Sequence, residues 1–206
     1  MLPGLAKIIK CPFCGSNIEL FTMRSGNTCG ATFWSDQKMI APMLPRVSPV
    51  QKCPSCGKYY LEYKQPYKEG DHESFNLGEL SYQEWKEAYI QLQSDNNITK
   101  DDFQIIRCRI IHAYNDNYNR GKELSIPAEE EAFFSDIIHE LIDSHKWEEK
   151  DLLFKAELYR EAGDMEKCSE VLSKISLGKH DDYKKSLINT IRTKMEKGDK
   201  KVFRLN

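Results

Sequence analysis

The chain has 206 residues, a mass of 24.0 kDa and a formal net charge of −2, so its length allows one or two domains. Hydrophobic residues make up 40% and charged residues 30%, which excludes a disordered acidic tail and a collagen-like chain. No apolar run approaches the roughly 20 residues that span a bilayer, and the N-terminus is too short and too charged for a signal peptide. We therefore expect a cytoplasmic protein.

Cysteine, proline and charge are unevenly distributed along the chain. Residues 1–66 contain five of the seven cysteines and seven of the eight prolines. They carry eight Lys or Arg and three Asp or Glu, a net charge of +5, so the remainder carries −7. This imbalance predicts a mildly basic N-terminal domain over 1–66, a linker over 67–80 and an acidic helical domain over 81–206.

The N-terminal domain has the pattern of short strands and loops. Alternation of polar and apolar residues predicts strands over 17–22, 31–34 and 58–63. Three prolines make residues 41–50 a poor strand and favour an extended loop. This half is therefore expected to form a small antiparallel β-structure.

Two cysteine pairs flank these strands. Cys11-Pro-Phe-Cys14-Gly and Cys53-Pro-Ser-Cys56-Gly share the CPxCG pattern. Two cysteines separated by two residues can direct both sulfurs at one ion, and the following glycine permits the tight turn. Four thiolates suit tetrahedral Zn²⁺ with no open coordination position, which predicts a structural zinc ribbon over 1–66.

Other interpretations of these cysteines remain open. A rubredoxin-like iron site uses the same paired motifs. Disulfides are disfavoured in a reducing cytosol, and a thioredoxin-like motif would require one CxxC opening a helix. Cys29 is a fifth cysteine of unexplained role, while Cys108 and Cys168 fall on predicted helix faces as small core residues.

The C-terminal half has helical signals throughout. Ser81-Tyr-Gln-Glu84 fits a capping box, and Thr99-Lys-Asp-Asp102 fits a looser form of it. Pro127 followed by acidic residues predicts a further helix start. Additional helices are expected over about 148–162, 165–176 and 181–197.

One helical hairpin has the pattern of a tetratricopeptide repeat. Ala156, Tyr159, Gly163 and Cys168 occupy the positions of the small, aromatic, turn and small residues of that motif. The Gly-Asp turn at 163 recurs at 198, close to the 34-residue period. The first helix would then line a groove for a protein partner with Lys150, Leu153, Glu157 and Arg160. A generic helical bundle with a solvated face is the alternative.

Both halves together resemble uncharacterised bacterial proteins that join an N-terminal zinc ribbon to C-terminal tetratricopeptide-like helices. The ribbon resemblance covers about 8–64 and includes Gly26-Asn-Thr28, Trp34-Ser-Asp36 and Ala41-Pro-Met43; the repeat resemblance covers about 150–206. It implies an α+β architecture, a small antiparallel β zinc ribbon followed by an all-α stack of helical hairpins. It implies no known chemistry.

The sequence contains no recognisable catalytic motif, which favours a non-enzymatic interaction module, an adaptor or scaffold with a structural zinc site. A nucleic-acid-associated ribbon is an alternative, since aromatic residues of the basic half could stack on bases; they are Phe21, Phe33, Trp34, Tyr59 and Tyr60. The third hypothesis is a rubredoxin-like electron carrier. The sequence does not identify the protein partner.

Overall fold

The computed structural model describes residues 1–121, 125–178 and 181–205. Within these residues it has the expected α+β layout, in which small, mainly N-terminal antiparallel sheets are followed by six α-helices. In the described residues the strands are β1 Leu2–Pro3, β2 Leu5–Lys10, β3 Asn17–Leu20, β4 Met23–Ser25, β5 Thr32–Trp34, β6 Met39–Ile40, β7 Val50–Lys52, β8 Tyr59–Leu61, β9 Tyr67–Glu73 and β10 Arg204–Leu205. The helices are α1 Tyr82–Leu92, α2 Lys100–Tyr118, α3 Ala128–Ser144, α4 Leu152–Ala162, α5 Met165–Ser173 and α6 Asp182–Glu196.

The chain divides into two compact units. We call the first the ribbon unit; it contains Met1–Thr32 and Met39–Ile106. We call the second the helical unit; it contains Phe33–Lys38 and Arg107–Asn206. Residues 33–38, which lie within the predicted ribbon domain, therefore belong to the helical unit. The other boundary between the units falls within α2. None of the helices in the described ranges combines the length and the apolar character that a bilayer span requires.

Two antiparallel hairpins form the centre of the ribbon unit. β2 pairs with β3 through Lys10 and Asn17, and β7 pairs with β8 through Lys52 and Tyr59. Apolar side chains of these strands and one cysteine from each hairpin loop form one core cluster, which contains Ile9, Cys11, Ile18, Leu20, Cys53 and Tyr60. The predicted strands are confirmed, with ends shifted by one or two residues, and the proline-rich segment carries no strand between β6 and β7.

The predicted linker over 67–80 is different in the structure. Its first part is strand β9, which pairs with β2 from Ile9–Tyr67 to Leu5–Glu73. Nearly every residue of β9 is exposed, so its sequence is charged and lacks the apolar alternation by which a strand is recognised. Backbone pairing along β2, rather than side-chain burial, determines this strand.

Helix α1 completes the ribbon unit through polar contacts with β8. The side-chain amide of Gln91 accepts a hydrogen bond from the Tyr59 N–H at 3.1 Å and donates to the Tyr59 carbonyl at 2.8 Å. The Tyr59 hydroxyl donates to Glu87 at 2.6 Å. Gln91 thus satisfies the backbone of β8 where an adjacent strand would otherwise pair, which protects that edge.

The predicted helix starts are confirmed in detail. Ser81 and Glu84 form the reciprocal capping box at α1. At α2 the Thr99 hydroxyl accepts from the Asp102 N–H at 3.2 Å, and Asp102 accepts from the Thr99 N–H at 2.7 Å. Helix α3 begins directly after Pro127, with acidic residues in its first turn.

The core of the helical unit includes α4, α5 and α6. Ala156 and Cys168 are fully buried there, as expected for small residues between close helices. The two Gly-Asp turns have the same hydrogen bonds: the Asp164 N–H donates to Tyr159 O at 2.8 Å, and the Asp199 N–H donates to Lys194 O at 2.9 Å.

The second turn is not followed by a helix. After Gly198 the chain continues into β10, which pairs with β5 through Arg204–Trp34 and Leu205–Phe33. The recurrence of the turn is therefore real, but the second copy contains one helix. The tetratricopeptide-like character of the unit stays a prediction.

Candidate metal centre

Each cysteine motif is the loop of one hairpin. Cys11 and Cys14 lie between β2 and β3, and Cys53 and Cys56 lie between β7 and β8. The Gly15 N–H donates to Cys11 O at 2.9 Å, and the Gly57 N–H donates to Cys53 O at 2.8 Å. Both glycines have positive φ, +75° and +71°, which explains the glycine after each pair.

Similar closing bonds make the two loops nearly equivalent. The Cys11 N–H donates to Ser16 O, and the Cys53 N–H donates to Lys58 O, both at 2.9 Å. Each motif is therefore held in one backbone conformation by its own hairpin. This local rigidity directs the sulfurs of both loops to a common point.

The four sulfur atoms lie within 4.8 Å of one another. The Cys11–Cys56 Sγ separation is 3.8 Å and the Cys14–Cys53 separation is 3.6 Å. A tetrahedron with metal–sulfur bonds of about 2.3 Å has edges of about 3.8 Å, whereas a disulfide would bring two sulfurs to about 2.05 Å. The four cysteines therefore fit one tetrahedral metal ion and can hold it.

Hydrogen bonds favour the thiolate form of two of these cysteines. The Ser16 hydroxyl lies 3.1 Å from Cys14 Sγ and 3.2 Å from Cys53 Sγ. The Ser16 hydroxyl and amide lower the pKa of Cys14. Burial raises the pKa of Cys53, but hydrogen bonds from the Ser16 hydroxyl and from the amides of Cys56 and Ser55 lower it by more. The pKa of Cys53 therefore falls to about 6.

Cys56 shows the opposite effect. The Lys58 amide lowers the pKa of Cys56, but burial and the neighbouring sulfurs raise it to about 12. Four thiolates at this spacing repel one another, and a divalent cation at their centre removes that cost. Four thiolates at this spacing are therefore stable together only when a cation is bound between them.

The buried side of the site is apolar. Cys11 and Cys53 are buried, whereas Cys14 and Cys56 are exposed. Tyr60 packs in the same core cluster and is 3% exposed. Its hydroxyl has no hydrogen-bond partner among the described residues, and burial followed by the nearby sulfurs raises its pKa. A cation bound to the thiolates would neutralise most of the negative charge that acts on the Tyr60 hydroxyl.

The remaining cysteines lie outside the cluster. Cys29 is exposed, Cys108 is partly buried and Cys168 is buried in the helical core. Within the described ranges, Cys11, Cys14, Cys53 and Cys56 form the sole group of candidate metal-binding side chains. The CPxCG motifs predicted these four residues, which the fold brings together; Ser16, which directly follows the first motif, was not predicted.

The residues predicted to bind a partner are divided between surface and interior. Lys150 is exposed and pairs with Glu148, and Leu153 is partly buried against the helical core. Glu157 and Arg160 are 1% and 0% exposed. The Arg160 guanidinium donates to Glu157 at 2.8 Å and to the Lys201 carbonyl at 3.1 Å. Arg160, which is paired with Glu157, thus bonds the C-terminal segment inside the helical unit, and neither buried residue lines an open groove.

Most aromatic residues considered for base stacking are not accessible. Phe21, Tyr59 and Tyr60 are at most 4% exposed, whereas Phe33 is 48% exposed. Trp34 is partly buried, and the Arg120 guanidinium lies 4.6 Å from its ring centre. Phe21, Tyr59 and Tyr60 are therefore buried in the ribbon unit, and the five aromatic residues do not provide a continuous stacking surface.

A serine–histidine–aspartate arrangement joins α3 to the start of α5. His139 Nε2 lies 2.6 Å from Asp164, and the Ser135 hydroxyl lies 3.4 Å from His139 Nδ1. However, Nδ1 also lies 2.8 Å from the Ser135 carbonyl, to which it can only donate. It is then not available to accept a proton from the hydroxyl, so this is an interhelical link.

Comparison with protein-family models, with curated proteins and with solved structures finds no match to the chain. The resemblance to zinc-ribbon and tetratricopeptide-like proteins therefore rests on the motifs. The site geometry rests on the chain's own residues.

Proposed function

We propose that the protein is a non-enzymatic adaptor whose N-terminal ribbon is folded by one structural Zn²⁺ and whose helical unit binds a protein partner. The observation that carries the metal part is the placement of four cysteine sulfurs at tetrahedral spacing, with edges of 3.6 and 3.8 Å. Four thiolates complete the coordination of Zn²⁺, so its role is structural.

The size of the hairpins supports this role. Each has strands of three to six residues, and their shared core cluster is small. Such a core supplies little folding free energy, and structural Zn²⁺ provides about 10–16 kcal/mol of apparent binding free energy in comparable small domains. Metal bound by both loops would join the two hairpins directly.

The metal assignment is tested on the intact protein by elemental analysis. We expect one zinc per chain, and Cys53→Ser should lose it. Cys29→Ser is the matched control, because Cys29 is exposed and lies outside the cluster. It should retain one zinc.

Iron in place of zinc, with a red colour and a reversible one-electron couple, would favour the rubredoxin-like alternative. The same sulfur geometry suits both metals. Absence of any bound metal would overturn the metal assignment.

The adaptor role is tested by affinity capture of the intact protein from its host. We propose a surface around Lys150 and Leu153, since these predicted positions remain at or near solvent in α4 and the preceding turn. Lys150→Glu should reduce the amount of co-purified partner, because it reverses an exposed charge without removing a core contact. Lys174→Glu, another exposed lysine, should leave it unchanged. Equal recovery with both variants would contradict this surface.

A further inference from the structure

A short segment of the ribbon sequence is part of the helical unit. Phe33–Lys38, which we call the strap, lies about midway between Cys14 and Cys53 in the chain. The strap is therefore inside the loop that is closed when both cysteine pairs hold the same ion.

Asp36 is the centre of the strap. It is 1% exposed, and its carboxylate accepts hydrogen bonds from Arg120 at 2.6 Å and from Asn115 at 3.0 Å. The Asp36 carbonyl accepts from His112 Nε2 at 3.0 Å. A carboxylate buried to this extent is stable only while it keeps such partners. The strap therefore packs specifically against the C-terminal part of α2 and the Arg120 that follows it.

The flanking strap residues add independent contacts. The Trp34 ring lies over the Arg120 guanidinium, and Lys38 pairs with Asp116. The Ser35 N–H donates to Phe203 O at 2.9 Å, and its hydroxyl accepts from the Phe203 N–H at 3.1 Å. The strap thus contacts both α2 and the C-terminal segment.

Two further features indicate that these contacts define the strap conformation. Gln37 has φ +62°, a left-handed conformation that a non-glycine residue keeps only when its surroundings stabilise it. Asn115 donates to both Asp36 and Glu161, which lies on α4 and is 2% exposed. The strap is therefore connected to the interior of the helical unit by a buried hydrogen-bond network.

We propose that the strap makes the stability of the helical unit depend on metal bound at the four cysteines. Metal binding closes the loop that contains the strap, which reduces the conformational entropy lost when the strap docks. Loss of metal frees both ends of that loop and favours release of Asp36 from Arg120. This inference rests on the proposed zinc site.

A different route would also connect the units, because the boundary between them falls at Ile106–Arg107 within α2. Unfolding of the ribbon unit could destabilise the helical unit by fraying α2 from its N-terminus. The two routes differ in whether they require Asp36. A variant of that residue therefore distinguishes them.

The test is amide hydrogen exchange of α4 in the full-length protein, metal-free and after addition of one equivalent of Zn²⁺. We expect Zn²⁺ to slow exchange of α4 in the wild type by about tenfold. Asp36→Asn should still bind one zinc, but the slowing should fall below about twofold because the strap no longer docks firmly. Asp182→Asn, which alters an exposed ion pair, should behave as the wild type.

Lys38→Ala is a milder variant in case Asp36→Asn prevents folding of the helical unit. It removes one strap ion pair and should reduce the slowing to an intermediate value. Full slowing in all strap variants would overturn the proposal and assign the coupling to α2. One bound zinc without slowing in the wild type would overturn it as well. Absence of bound zinc is detected separately by elemental analysis and would overturn the zinc site together with this inference.

Discussion

The interior of the helical unit contains more buried carboxyl groups than guanidinium groups. Asp36 pairs with Arg120, and Glu157 pairs with Arg160. Glu161 accepts one hydrogen bond, from Asn115, and its Oε1 has no hydrogen-bond partner among the described residues. Burial, then the negative charges of Glu157 and Asp36, raise the pKa of Glu161 well above its usual value. Burial among other carboxylates therefore favours the protonated form of Glu161 in the folded chain.

This protonation gives a prediction for Glu161→Gln. The unfolded chain releases the Glu161 proton above about pH 4.5, whereas the folded state keeps it. The free energy of unfolding of the wild type therefore falls as the pH rises from about 4.5 towards the raised pKa of folded Glu161. Glutamine keeps an acceptor for Asn115 and has no proton to lose. We expect Glu161→Gln to raise the free energy of unfolding by about 1–3 kcal/mol at pH 7.

Denaturant unfolding between pH 5 and pH 8 measures this effect. The advantage of Glu161→Gln over the wild type should decrease towards pH 5. Glu170→Gln is the control, since Glu170 is exposed and pairs with Lys174; it should change stability by less than about 0.5 kcal/mol. The same pH dependence in Glu161→Gln and wild type would contradict a protonated Glu161.

At the scale of single elements, local chemistry accounts for where helices begin and where hairpins turn. The capping box formed by Ser81 and Glu84 also contacts β7, because Glu84 Oε1 lies 3.1 Å from Lys52 Nζ. Backbone hydrogen bonding at Ser81, followed by Lys52, lowers the pKa of Glu84. Helix α1 is thus stabilised by its own cap and by the ribbon hairpin that carries Cys53.

Ser81→Ala tests the contribution of this cap. The Glu84 N–H would lose the hydroxyl that it bonds at 3.3 Å, and we expect a loss of about 1 kcal/mol in the stability of the ribbon unit. The measurement is denaturant unfolding of the zinc-loaded protein. Ser94→Ala, beyond the C-terminal end of α1, should have a smaller effect because its hydroxyl only donates to the Gln91 carbonyl. Equal effects would argue against the cap.

At the scale of the whole molecule, the two units do not follow the boundary at residue 66. The ribbon unit includes α1 and the first part of α2, and the helical unit includes the strap. Cys53→Ser is therefore expected to unfold the hairpins together with α1. It should leave α3 to α6 folded but less protected from hydrogen exchange. Loss of all helices would instead indicate a shared core.

The sequence alone determined the features that depend on neighbouring residues. The sequence was sufficient wherever hydrogen bonds join residues within a few positions of one another. This applies to the two CPxCG motifs, to the glycine turns after Cys14, Cys56 and Ala162, and to the helix caps at Ser81 and Thr99. Tertiary structure decided the rest. Three features involve charged residues that a sequence pattern assigns to the surface. They are strand β9, the buried pair of Glu157 and Arg160, and the docking of Asp36 on Arg120. A charged side chain is buried only where distant partners replace its water, and those partners meet only in the folded chain.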